Sequence, residues 1–391
     1  MKKAIIITAL VVFGFNLFAQ NTIDSVLVTI EKNNTTLSAH RKSVDAEKIG
    51  NKTGLTPQNP EMEFNYLWGN PSAIGNRTDF SIRQSFDFPS SYSYKSQISN
   101  LKNEQTELEY KKQRNEILFQ TREVCIKLTY QNALSNVIQK QYANASKISE
   151  AYKTKYSTGD IGILEFNKSQ VHFLTITKEL ENAEIEKKAL LSELALLNGG
   201  IFIAFSDSVF SLQNIPADFE QWYSQIEPNS PVLQWIKQEI AISEKQVKLN
   251  KAMNLPKLYA GYMSEKVVGQ QFQGITIGVT IPLWENKNTT KYAKAKSIAI
   301  QGIETDTKLQ FYNDIKTTHT KAIALQSSVL DYRYKLSVFS NTDLLNKAFD
   351  KGEISLTEYM YELSLYNESI YKLLEMEMNQ SMAFAILNRY F

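Results

Sequence analysis

The sequence predicts a mostly α protein with a membrane β part, built from a duplicated helix–strand–strand–long helix–helix unit. Three features point there: a repeat spanning about half the chain, two helical stretches of roughly 60 residues almost free of breakers, and two pairs of strictly alternating strands. Only 15 Gly and 9 Pro occur in 391 residues, which favours long regular elements. A hydrophobic content of 43% is that of a folded chain.

Residues 1–19 read as a signal peptide. Lys2 and Lys3 precede an almost wholly apolar run from Ala4 to Phe18, and Leu17-Phe18-Ala19 places cleavage before Gln20. The run is short for a membrane span. No Cys stands at the cleavage point, so lipidation of an N-terminal cysteine is not expected. No later run of 18 apolar residues occurs, so entry into a membrane is not expected through helices. Without Lys2 and Lys3, 41 basic residues face 41 acidic ones, and a nucleic-acid partner is not expected.

The duplication is read from offsets. Leu37 and Leu233, Pro60 and Pro256, and Tyr66 and Tyr262 are each separated by 196 positions. Phe88-Pro89 and Ile281-Pro282 are separated by 193, as are Tyr156-Ser157-Thr158-Gly159-Asp160-Ile161 and Phe349-Asp350-Lys351-Gly352-Glu353-Ile354. The change of offset falls between the two strands, where a hairpin loop can absorb it. The first repeat is placed at 20–199, with a strand hairpin at about 60–90 and a helical hairpin at about 95–198. An inter-repeat segment follows at 200–228. The second repeat is placed at 229–391, with hairpins at about 256–285 and 289–391.

In the strands, Met62, Phe64, Tyr66 and Trp68 share one face. On the next strand Phe80, Ile82, Phe86 and Phe88 oppose Ser81, Arg83, Ser85 and Asp87. In the second repeat Ile275, Ile277, Val279, Ile281 and Leu283 alternate with Thr276, Gly278 and Thr280. About ten residues per strand suffice to cross an outer membrane at a tilt. Aromatics at the strand ends (Tyr66, Trp68, Phe86, Phe88, Tyr92, Tyr94, Trp284) suit interfacial girdles. The same alternation fits a soluble sandwich equally well, and the strands alone do not separate the two.

Ser96–Tyr156 contains neither Pro nor Gly, and Thr290–Phe349 contains only Gly302. Each would be a helix of about 90 Å. Ile117, Thr121, Val124, Leu128, Gln131, Ser135, Ile138, Tyr142, Ala145, Ser149, Tyr152 and Tyr156 follow spacings of three and four, a heptad seam. Its polar members are expected to line a helical wall around water, or else to belong to an imperfect scaffold coiled coil. Two strands per repeat make four per chain, and a membrane barrel needs about eight. An open edge in lipid leaves amides unpaired. Strands in a membrane would therefore have to be shared among copies, three of which would supply twelve.

Two copies of one helix–turn signature, YSTGDIGILEF and FDKGEISLTEY, sit in register on the long helices. With the duplicated element order, the Pro-led strands at Pro60 and Pro256 and the Ile281-Pro282-Leu283 ending, the chain resembles the TolC-type outer membrane efflux family over essentially its whole length after the signal peptide. That resemblance implies a homotrimer whose twelve-stranded β-barrel, in the outer membrane of a Gram-negative-type envelope, is continuous with a long periplasmic α-helical barrel. It implies a passive conduit in a tripartite efflux pump, with a periplasmic adaptor and an inner-membrane transporter of the RND type as partners. It also implies export of drugs or heavy-metal cations, and places segment 200–228 in a belt around the tunnel.

The candidate residues follow. Gly159 and Gly352 end the long helices, where a reversal needs positive φ; the resemblance makes these tips the adaptor docking sites. Asp160 and Glu353 are expected to open the returning helices, where the N-terminal dipole favours an anion. Glu165 and Glu358, six residues past each Gly, would by the resemblance face a constriction as an acidic ring; a solvated helix face is the plain alternative. Lys168 and Tyr361 stand where the family often has a further acid. Arg83 and Asp87 would line the barrel lumen. Met360, Met376, Met378 and Met382 are read as packing residues, not a soft-metal site.

Enzyme chemistry has no motif here: the chain shows no phosphate-binding glycine loop, nucleophile elbow or HExxH helix. Cys125 is read as a packing residue, and no cofactor or metal centre is expected. The competing reading is a soluble periplasmic coiled-coil scaffold or adaptor.

Overall fold

A computed structural model describes residues 22–211 and 215–389. The expected signal peptide at 1–19 lies outside the described residues. The element order is α1 (Ile23–Asn33), α2 (Thr35–Gly50), β1 (Glu61–Leu67), β2 (Arg77–Phe86), α3 (Pro89–Ser157), α4 (Ile163–Leu197), α5 (Phe219–Ile226), α6 (Pro231–Ala252), β3 (Lys257–Val267), β4 (Gln270–Thr280), α7 (Thr289–Val338), α8 (Thr342–Asp350) and α9 (Leu356–Leu387). No described helix is long and apolar enough to cross a membrane.

The repeat starts earlier than its offsets suggest. The Asn34 side chain accepts from Leu37 N at 2.8 Å to cap α2, and Ser230 accepts from Leu233 N at 3.5 Å to cap α6. The capped positions are again 196 apart. The inter-repeat segment 200–228 holds α5, which stands before α6 in sequence as α1 stands before α2. Sequence periodicity missed α5 because it is only eight residues long.

The chain divides into two compact units. The described residues of the first are 22–32, 121–211 and 341–378. Its core joins α3 to α4 through Ile138, Ala145, Ile176 and Ala183, and joins Ile148 of α3 to Leu356, Tyr359 and Leu363 of α9. The polar members of the α3 seam are buried here, not turned to water. Gln131 donates to the Ala183 carbonyl at 2.8 Å, and Ser149 Oγ accepts from Gln170 at 2.9 Å. A buried amide or hydroxyl ordinarily finds a partner; the neighbouring helix supplies it for Gln131 and Ser149, while the buried Ser135 hydroxyl has none among the described residues. Cys125 is buried with them, and burial pushes its thiol up to about 12.

The described residues of the second unit are 33–120, 215–340 and 379–389. It holds the sheet, ordered β1-β2-β3-β4 and antiparallel throughout. Its apolar core gathers Trp222, Tyr223 and Ile226 of α5 against Phe311, Ile315 and Ala322 of α7. His319 Nε2 lies 2.7 Å from the Pro216 carbonyl and closes that cluster.

Two expectations are corrected. The second long helix is not continuous to Phe349: α7 ends at Val338, and α8 begins at Thr342. The intervening Ser340-Asn341 and the following Thr342-Asp343 are residues whose side chains compete for backbone hydrogen bonds, so the helix yields there. The offset of 193 also does not hold in the strands. Met62 pairs with Ile82 and Leu258 with Val279, so β4 stands for β2 at an offset of 197 while β3 stands for β1 at 196. A two-residue turn at 268–269, with Gly269 at φ 78°, replaces the nine-residue loop 68–76.

Candidate functional site

The sheet presents two chemically distinct faces. In an antiparallel ladder, paired residues point the same way. Met62, Phe64 and Tyr66, with Phe80, Ile82 and Phe86, Leu258 and Tyr262, and Ile275, Ile277 and Val279, therefore form one face. It is uncovered: Ile275 is 82% and Ile277 80% exposed. The other face carries Glu61, Glu63, Arg77, Asp79, Ser81, Arg83, Glu265, Thr276 and Thr280. Its charges are paired within and across strands. Arg83 of β2 bonds Glu61 of β1 at 2.7 Å, and Arg77 of β2 reaches Asp79 on its own strand at 2.8 Å and Glu265 of β3 at 3.2 Å. Arg83 is thus on the polar face, as its alternation predicted. Asp87 is not in β2; it lies one residue beyond the strand, at the turn into α3, with its carboxylate 2.8 Å from Lys95 Nζ.

Trp68 and Trp284, just past the ends of β1 and β4, are 80% and 79% exposed. Such residues suit a membrane interface, where one end of the ring is apolar and the other wet.

The two hairpin tips of the first unit share one backbone device. Gly159 has φ 79° and Gly352 φ 73°. Asp160 N donates to the Lys155 carbonyl and Gly159 N to that of Tyr156; Glu353 N and Gly352 N do the same to Ala348 and Phe349. This is the Schellman pattern. Asp160 and Glu353 therefore close the outgoing helices and do not open the returning ones, which begin at Ile163 and Leu356. The positive-φ glycine carries the chain through one more turn before the next helix starts.

The signature motif is also closed by aromatic rings at its ends. Tyr156 stacks on Phe166 with centroids 4.9 Å apart, and Phe349 stacks on Tyr359 at 4.4 Å. The spacing of ten residues between aromatics was visible in the sequence; the stacking was not.

The two candidate carboxylates differ in setting. Glu358 is held in a capping box: Ser355 N and Ser355 Oγ both donate to its carboxylate at 3.1 Å, and Glu358 N donates back to Ser355 Oγ at 3.2 Å. Glu165 follows Gly162, which has no side chain to cap with. It is exposed and lines a groove of about 630 Å³ with Asn144, Tyr152, Lys155, Asn346 and Tyr359. Burial raises the Tyr152 hydroxyl pKa, and the nearby Glu165 charge adds to the shift.

No family model matches the chain, and no curated protein matches it. Solved structures do. That of CusC, described with its folding and transmembrane channel formation, aligns with a TM-score of 0.77 at 14% identity, over 95% of this chain and 92% of that one. The Campylobacter jejuni CmeC outer membrane channel aligns at 0.72 and 16% identity, over 94% of this chain and 85% of that one. The open-state Neisseria gonorrhoeae MtrE outer membrane channel aligns at 0.69 and 12% identity, over 94% and 88%. The chain therefore has the fold of the TolC-type outer membrane channels. At these identities the likeness is one of fold.

Proposed function

We propose that the chain is the outer membrane channel of a tripartite efflux system, a passive homotrimeric conduit. Three copies pool four strands each into a twelve-stranded barrel in the outer membrane, continuous with a periplasmic α-helical barrel. One observation carries this reading: among the described residues, a four-stranded sheet with an exposed apolar face, a charged opposite face and two open edges. In water the apolar face is unfavourable; in lipid the open edges are. Closing the sheet with further copies resolves both. The shared fold with CusC, CmeC and MtrE adds support.

In this reading the apolar face meets lipid, and the polar face lines the lumen, with Arg83 on it and Asp87 at its rim. Gly159, Asp160, Gly352 and Glu353 form the tips on which a periplasmic adaptor docks, bridging to an inner-membrane transporter of the RND type. Glu165 and Glu358 stand at the constriction, and the cargo is drugs or heavy-metal cations. Fractionation and planar-bilayer recording test it. A heat-sensitive oligomer in outer membranes that conducts ions supports the reading, and a salt-extractable monomer without conductance overturns it.

A further inference from the structure

The two free edges of the sheet are related to the joint already made inside the chain. β2 of the first repeat pairs with β3 of the second, and β1 and β4 are left as edges. In the duplication β3 stands for β1, at an offset of 196, and β4 for β2, at 197. The β2–β3 ladder is therefore a template for a β4–β1 ladder between copies. Ile82 opposite Tyr262 becomes Val279 opposite Tyr66, Arg83 opposite Gly261 becomes Thr280 opposite Asn65, and Phe86 opposite Leu258 becomes Leu283 opposite Met62.

The distribution of apolar residues gives the same answer independently. Met62, Ile82, Tyr262 and Ile275 lie on one row across the sheet. Towards the hairpin loops, β1 stays apolar on the outward face through Phe64, Tyr66 and Trp68, whereas β4 turns polar at once with Gln273. Away from the loops, β4 continues with Ile277, Val279, Ile281 and Leu283. The apolar band thus runs diagonally, descending from β1 to β4. Strands tilted in a membrane produce such a diagonal, since lipid cuts each strand at a different residue. To keep the band level, β1 of the next copy must slide towards the Leu283 end of β4.

We infer that β4 of one copy pairs antiparallel with β1 of the next in the register that sets Met62 against Leu283, Tyr66 against Val279 and Asn65 against Thr280. This rests on the channel reading above. It also accounts for the end of β4. Pro256 has no N–H to offer, so β3 supports β4 only to Thr280. Ile281 and Leu283 keep their outward alternation, 63% and 67% exposed, and gain a ladder from the neighbouring copy. The ring is heterologous and closes because each copy offers one edge of each kind.

Disulfide trapping on full-length protein in membranes tests the register. Cysteine pairs Y66C with V279C, and N65C with T280C, sample both faces, one of which is the closer, non-hydrogen-bonded kind in any antiparallel ladder. The controls Y66C with I277C, Y66C with I275C, and N65C with T276C are shifted by two or four residues. Buried Cys125 stays in place, and single-cysteine variants report any contribution from it. Oxidation is expected to move the in-register pairs from monomer to trimer mobility on denaturing gels and to leave the controls as monomers. Trimers from a shifted pair overturn the register and leave the channel reading standing. No cross-link in any pair, with a monomer in free solution, overturns both.

Discussion

Asn144 Nδ2 donates a 2.6 Å hydrogen bond to the hydroxyl of Tyr359, 215 residues further along the chain. The hydroxyl in turn donates a hydrogen bond to Asn346 Oδ1 at 2.7 Å, and the ring, 1% exposed, lies against Phe349. One side chain thus ties α9 to α3 and α8. The equivalent residue of the first hairpin, Phe166, has a ring to stack but no hydroxyl to bond. Tyr359→Phe should keep the stacking and leave two half-buried amides short of a partner. The expected cost is about 1 kcal/mol, the low end for unsatisfied polar groups. Thermal unfolding followed by far-UV circular dichroism should show a lower midpoint, and Phe166→Tyr should not raise it.

The tip glycines are needed for conformation, not for space. A Cβ at Gly159 or Gly352 meets nothing within 4 Å, yet both residues have positive φ. Alanine at either position should cost about 1–2 kcal/mol in the left-handed region. Asparagine, which tolerates that region, should cost less. Equal midpoints for the alanine and asparagine variants in a denaturant melt would count against this account.

The two sheet faces should respond oppositely to charge. Ile277→Arg places a cation on the apolar face, and a basic residue facing mid-bilayer costs about 2–4 kcal/mol. Thr276→Arg, next in sequence, places it on the charged face. The first variant should lose the membrane-inserted, heat-sensitive oligomer, and the second should retain it. Comparable yields of both in outer membrane fractions would remove the assignment of faces.

Glu107 of α3 gives a pH dependence. Its carboxyl is held below its ordinary value of 4.5 by the hydrogen bond from Lys48; burial opposes this, and the bond from Arg41 assists it. A depressed carboxyl stabilises the fold above its ordinary range, and that increment is lost as pH falls through the folded value. Stability should therefore drop on acidification below about pH 4.5, by no more than about 1 kcal/mol for so accessible an ion pair. Glu107→Gln should be less stable at neutral pH and lack this acid-side drop in a pH series of melts.

Glu165 and Glu358 should separate by function and by stability. Glu358→Ala removes the carboxylate half of the capping box and should cost about 0.3–1.5 kcal/mol. Glu165→Ala removes an exposed carboxylate behind the uncapped Gly162 and should cost little. If both face the constriction, Glu165→Gln and Glu358→Gln together should weaken the cation selectivity of reconstituted pores. Reversal potentials equal to those of the parent would take them out of that position.

The sequence by itself determined the elements and their duplication. Absence of Pro and Gly from Ser96 to Tyr156 dictates a long helix, and Met62-Phe64-Tyr66 against Ile275-Ile277-Val279 dictates strands with one apolar face. Gly159 and Gly352 mark the reversals because so few residues accept positive φ. These are local rules, satisfied within a few residues of each position. Tertiary structure decided what depends on partners distant in the chain. Which strand neighbours which, the offset of 197 in the second hairpin, and the burial of Gln131 against Ala183 all depend on packing that periodicity does not encode. The break before α8 is intermediate: Ser340-Asn341-Thr342-Asp343 permits it, but the stacking of Phe349 on Tyr359 orients the short helix that follows. Local propensity selects among a few backbone states, and only the packed neighbours select which polar group meets which.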